Sequence, residues 1–206
     1  MLTPVEHSAL AIFNKGLSSY LRTYQEARAR EAAETLRKAM ARGKVYRITD
    51  DKAAAALFAY MRAAEEGAAR LNLEMIAEAF ANSAQEATFA PDEFRRHTRM
   101  LADLSREEIV VIAALIKANR GAHGLSFPQA RKHIRDELEN ELVGSGKFFA
   151  TVRHVTQHLT ALQRTGLIIY EEVYGGQAYM PTSLLVQIER LIDFDRASVE
   201  AAKQPS

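Results

Sequence analysis

His154 and His158 stand four residues apart in the run Arg153-His154-Val155-Thr156-Gln157-His158, one helical turn, the spacing at which two imidazoles share a metal ion. A metalloprotease pattern would need its general-base glutamate directly after His154, where this chain has Val155. His133 is the nearest further imidazole on the N-terminal side, and two ligands with a remote third make no site, so no bound metal is expected. Glu171 and Glu172 fall in a β-branched and aromatic stretch, where neighbours alternate across a strand and cannot address one substrate together. The sequence has no glycine-rich phosphate loop, dinucleotide fingerprint or nucleophile elbow; Gly16-Leu17-Ser18 and Gly144-Ser145-Gly146 lack the flanking context. The chain has no cysteine, which removes disulfides, thiolate metal sites and a thiol nucleophile. These residues predict no catalytic constellation and no cofactor.

The same stretch suits recognition better than catalysis. Between Lys147 and Tyr170 there is no acidic residue, while Lys147, Arg153 and Arg164 are basic and His154 and His158 can become so. On a helical wheel Arg153, Gln157, Thr160 and Arg164 fall opposite the apolar stripe of Phe148, Val152, Val155, Leu159 and Leu162, with Lys147, His154 and His158 flanking. An arginine there can read guanine and Gln157 adenine through paired hydrogen bonds. Tyr174 and Gln177, in the next segment of the chain, complete a candidate nucleic-acid-binding set of Lys147, Arg153, His154, Gln157, His158, Arg164, Tyr174 and Gln177. A solvated helix face has the same pattern, and both readings stand at this point.

The elements that must position these side chains are well punctuated. Ser105 and Glu108 form a capping box ahead of Ile109, Ile112, Ala113 and Ile116, and Gly121 is placed to close that helix. Ser126-Phe127-Pro128-Gln129 starts a second helix, with Ala130, Ile134, Leu138 and Leu142 on one face, up to Gly144. A third helix is predicted from about Phe148 to Arg164, ended by Gly166. Leu167 to Tyr174 and Gln177 to Met180 then read as strands about a Gly175-Gly176 turn.

Three short helices and then a glycine-tipped hairpin resemble a winged helix-turn-helix. The junction Leu162-Gln163-Arg164-Thr165-Gly166-Leu167-Ile168 is similar to the passage from recognition helix to first wing strand in many bacterial winged-helix regulators. The resemblance covers Ser105 to Met180 and implies a homodimeric DNA-binding transcriptional regulator whose third helix enters duplex DNA. Many winged helices are instead protein-docking modules, so the alternative is a non-enzymatic interaction module that no longer binds DNA. Charge bears on the choice: residues from Ser105 onward carry twelve basic and twelve acidic side chains, and the second helix carries Asp136, Glu137, Glu139 and Glu141. Neutrality weakens phosphate attraction, and those acids decide the matter by where they point.

Residues 1–104 read as helices throughout, with a capping box at Thr3-Pro4-Val5-Glu6 and a proline-led start at Ala90-Pro91-Asp92-Glu93. Small residues from Lys52 to Arg70 suit a bundle centre or a homodimer interface. Arg37, Lys38, Arg42, Lys44 and Arg47 form a basic cluster with no acid among them. With 206 residues and 48% hydrophobic content the chain can bury a substantial core. No apolar run reaches the roughly 20 residues that span a bilayer, and the first residues lack a signal-peptide layout, so a cytoplasmic protein without a membrane partner is expected. The predicted fold is mainly α: a helical bundle over 1–104, a winged helix-turn-helix domain with a small β-hairpin wing over 105–196, and a disordered tail over 197–206.

Overall fold

The structure is a computed structural model. It describes the backbone of residues 4–42, 51–83, 90–173 and 176–203, and the side chains of these except 4–20, 52–53, 91, 172–173 and 176–177. The fold is mainly helical with one small antiparallel sheet.

Helix α1 (Pro4–Arg42) is continuous over 39 residues, on the order of 58 Å long. Only its C-terminal third is buried among the described side chains, through Ala32, Leu36 and Ala39. These meet α2 (Asp51–Glu65) and α3 (Arg70–Ser83). Small side chains let the backbones approach closely enough for the Tyr60 hydroxyl to donate to the Ala32 carbonyl at 2.8 Å. Burial leads the effects that push the Tyr60 phenol well above its ordinary value. Helix α4 (Pro91–Ala102) starts with proline in its first turn and acids beside it, and packs on α2 and α3, with Phe94 edge-on to Phe80 at 5.6 Å.

Asn72 joins these N-terminal helices to the C-terminal half. Its Nδ2 lies 2.8, 3.0 and 2.8 Å from the carbonyl oxygens of Leu101, Ala102 and Leu104, supplying a donor to the end of α4 from inside the core. Helix α5 (Arg106–Gly121) opens on the expected capping box, with Ser105 accepting from the Glu108 amide and Glu108 accepting from the Ser105 amide. It is buried on all sides from Ile109 to Ile116 because α6 (Phe127–Leu142), α7 (Val152–Leu162), the sheet and the last helix surround it.

The hairpin pairs β1 (Ile168–Val173) with β2 (Gly176–Pro181), from Ile168 opposite Pro181 to Val173 opposite Gly176. Helix α8 (Ser183–Ile188), capped by Thr182, leads through a turn to α9 (Phe194–Lys203), which lies along α5. Arg106 fixes that contact, donating to the Ala201 carbonyl from Nε at 2.9 Å and Nη2 at 2.6 Å. Asn82 Nδ2 donates to the Leu191 carbonyl at 2.9 Å and Arg196 pairs with Glu78 at 2.5 Å, so the C-terminal segment also grips α3. No helix among the described residues is long and apolar enough to cross a membrane.

Four expectations change. The helix expected from Phe148 begins at Val152: Phe149 takes an extended backbone and bridges Val143, because its ring and that of Phe148 pack edge-on at 5.0 Å. Gly121 is the last residue of α5 but does not close it in a left-handed turn, and a Cβ there would stand 2.8 Å from Nε2 of His133, whose ring would have to shift. The strands pair up to Val173 and Gly176, so Gly176 belongs to β2 and only residues 174–175 connect them. Residues 197–203, expected to be disordered, continue α9, with Ala197 and Ala201 buried against α5.

Candidate nucleic-acid interface

Helix α7 buries Val155, Leu159 and Leu162 and leaves Arg153, His154 and Gln157 exposed on its other side. Among the described residues none of these three side chains is engaged in an ion pair or hydrogen bond, so their donors face water. Lys147 is also exposed, in the loop ahead of α7, where its amide donates to the Gly144 carbonyl at 3.1 Å. These four are the predicted residues that the structure leaves available on or beside one helix. No acidic residue lies in the segment that carries them.

The other predicted residues are placed differently. Arg164 turns back toward α5: its guanidinium pairs with both carboxylate oxygens of the buried Glu108, at 2.9 Å for the Nη2 to Oε2 contact. It also donates to the Asp103 and Ala161 carbonyls at 3.1 and 2.8 Å. A side chain so occupied closes the fold and is not positioned to read a base. The reason is local: Gln163 to Thr165 form a 3-10 turn ended by Gly166 at φ 71°, which swings residue 164 off the line of α7. His158 packs its ring on Phe149, centroids 5.3 Å apart. Gln177 sits in β2 opposite Glu172, and Tyr174 lies outside the described residues.

Sequence reasoning missed the role of α6. Two of its acids, Glu137 and Glu141, lie toward α5. Glu141 pairs with Lys117 of α5 at 2.9 Å, and Glu137 adds to the field that raises the Lys117 ammonium pKa after the Glu141 hydrogen bond and charge. The side of α6 that meets α7 instead carries Arg131 and Arg135, one turn apart, with Glu139 on the same groove and Asp136 paired with Arg135 at 3.5 Å. Arg131 lies over the Phe127 ring at 5.6 Å and donates to the Glu171 carbonyl at 3.3 Å, tying α6 to the hairpin. The result is a groove of about 270 Å³ between α6, α7 and β2, floored by Ile134, Leu138, Val155 and Leu159. The signal was present in the sequence, since Arg131 and Arg135 flank Ile134 on the apolar side of the helical wheel.

The hairpin is anchored to α7 as well. Tyr179 shares a 2.9 Å hydrogen bond with Thr160 and stacks across the strands on Tyr170 at 5.3 Å. Of the basic cluster near the end of α1, Lys38 pairs with Glu34 at 2.7 Å, while Lys44 and Arg47 lie outside the described residues. Among the described residues no three histidine or carboxylate side chains gather as a metal site.

No protein-family model, curated protein or solved structure matches the chain.

Proposed function

We propose that this chain is a winged-helix DNA-binding regulator, cytoplasmic and homodimeric, in which α7 enters the major groove and the β1–β2 hairpin is the wing. The observation that carries the reading is the exposed, unpartnered row of Arg153, His154 and Gln157 on a helix whose neighbour α6 directs Glu137 and Glu141 toward α5 and Arg131 and Arg135 toward α7. The unpaired positive charge on this side is that of Arg153 and Lys147, since Arg135 pairs with Asp136 at 3.5 Å and Glu139 lines the groove beside Arg131. Arg153 and Gln157 supply the base contacts, with Lys147, Arg131 and Arg135 neutralising phosphates. Dimerisation falls to the outward part of α1, where Leu21 and Tyr24 are 48% and 42% exposed. Two copies then place two α7 helices on half-sites.

The test is binding to a pool of duplex DNA, read by fluorescence anisotropy between about 50 and about 200 mM salt. Binding that weakens steeply with salt, and that is lost in an Arg153→Ala/Gln157→Ala variant, supports the assignment. A second reading, a protein-interaction module without DNA affinity, is favoured by the apolar floor of the α6–α7 groove and by Val152 at its mouth, 42% exposed. It predicts no salt-dependent DNA binding at all.

A further inference from the structure

The cleft between α2 and α4 is distinct from the α7 surface and encloses about 550 Å³. Small-molecule sites span roughly 300–1,000 Å³. Its floor is made by Ala55, Ala59 and Ala63 of α2 and Ala102 of α4, whose methyl side chains are too short to fill the space between two helices. At its edge Phe58 is 70% exposed, an aromatic ring left in water beside an apolar floor. Thr98 also lines the cleft, is 2% exposed, and has its hydroxyl buried with no hydrogen-bond partner among the described residues.

The polar rim carries three arginines, of which Arg99 alone makes no ion pair among the described residues. Arg62 and Arg95 are balanced by Glu66 at 2.7 Å and Asp92 at 3.5 Å. Arg99 is exposed on the α4 side. The facing acid Asp103 keeps its carboxylate exposed while its backbone carbonyl accepts from Arg164. Apolar floor, unsatisfied hydroxyl and uncompensated guanidinium thus converge on one cavity.

We infer that this cleft binds a small aromatic acid, with its ring on the alanine floor under Phe58 and its anionic group on Arg99. The aromatic ring of Phe58 supplies an offset face for the ligand ring, and the guanidinium offers paired donors that match a carboxylate or sulfonate. Binding here requires nothing of α7, so its test is separate from that of DNA recognition.

The probes are 1-anilinonaphthalene-8-sulfonate, an aromatic anion that fluoresces when bound, and N-phenyl-1-naphthylamine, its neutral counterpart. Wild type should bind the sulfonate saturably. Arg99→Gln, an exposed substitution that leaves the fold intact, should weaken the sulfonate about tenfold while leaving the neutral dye unchanged. Phe58→Ser should weaken both. The assignment is overturned by absence of saturable sulfonate binding, by variants that bind like wild type, or by Arg99→Gln weakening both dyes equally. It is equally overturned if sulfonate affinity falls as protein concentration rises, because a second copy of the chain then covers the cleft.

Discussion

Arg164 grips both carboxylate oxygens of Glu108, and Glu108 is the same residue that caps α5 through the Ser105 amide. One carboxylate, 3% exposed, therefore fixes the start of α5 and the end of α7 together. The guanidinium covers it from outside with its own side chain 48% exposed, so water screens the pair only from one side. Removing the arginine leaves a buried charge with a single remaining donor. Arg164→Ala is expected to lower stability by about 2 kcal/mol, discounted from the larger cost of a fully buried pair. Arg153→Ala, on an open face, is expected to change stability by less than about 0.5 kcal/mol. Urea unfolding monitored by circular dichroism checks the contrast, and equal losses in the two variants would remove the distinction drawn between them.

Burial works to raise the Glu108 pKa, but the Arg164 hydrogen bond, the Ser105 amide and the arginine charge together hold it below the ordinary carboxylate value. A depressed folded-state pKa contributes stability that is complete above the unfolded value of about 4.3 and lost as pH falls through the folded one. The stability difference between wild type and Glu108→Gln should therefore be largest near neutrality and shrink in the acid range below that value. Unfolding at a series of pH values reads it directly; a difference that grows on acidification would reverse the assigned sign.

His97 titrates in a separate window. Burial, and after it the charge of Arg96, lowers its pKa against the opposing pull of Glu93, and its Nε2 is buried with no partner among the described residues. The folded state disfavours the charged imidazole, so stability is full above the unfolded pKa of about 6.5 and declines as pH drops below it. His97→Leu should flatten that part of the profile. Comparing urea midpoints on either side of about pH 6.5 tests this, and a variant profile parallel to wild type would exclude His97 as the cause.

Asn72 spans three carbonyls at the α4–α5 junction, and no apolar side chain can replace that. Asn72→Ala is expected to cost about 2 kcal/mol, because the Ala102 and Leu104 carbonyls lose this donor. Asn72→Asp should cost more, since a carboxylate would face the same oxygens. Denaturation midpoints give both values, and an alanine variant as stable as wild type would show that water replaces the amide without loss.

Much of the chain was legible because its helix starts carry local chemistry. The Ser105–Glu108 box, the Ser126–Gln129 start of α6 and Pro91 at the head of α4 are each decided within four residues, and each element begins there. What escaped depends on distant partners. Ala197 and Ala201 look like a tail until α5 lies beside them, and Gly121, the end of α5 as read, ends it without the left-handed turn its glycine suggests. The proposed recognition surface divides the same way. Arg153, His154 and Gln157 are exposed as the helical wheel requires. Arg164 falls on the same wheel face, but the 3-10 turn and a buried glutamate 56 positions earlier redirect it, which periodicity cannot report. The acids of α6 were visible as a count, while their direction depended on Lys117 of α5.

The proposal that α7 recognises DNA rests on Arg153 and Gln157. It is tested most directly by anisotropy of a labelled genomic duplex pool with wild type, Arg153→Ala/Gln157→Ala and Lys147→Ala across a salt series. Wild type should bind in a salt-sensitive manner and the double variant should lose binding. Lys147→Ala should weaken uniformly, with a slope of log affinity against log salt reduced by about 0.9. Wild type that fails to bind at low salt, or a double variant that binds as well as wild type, would contradict the assignment of α7 as the reading helix.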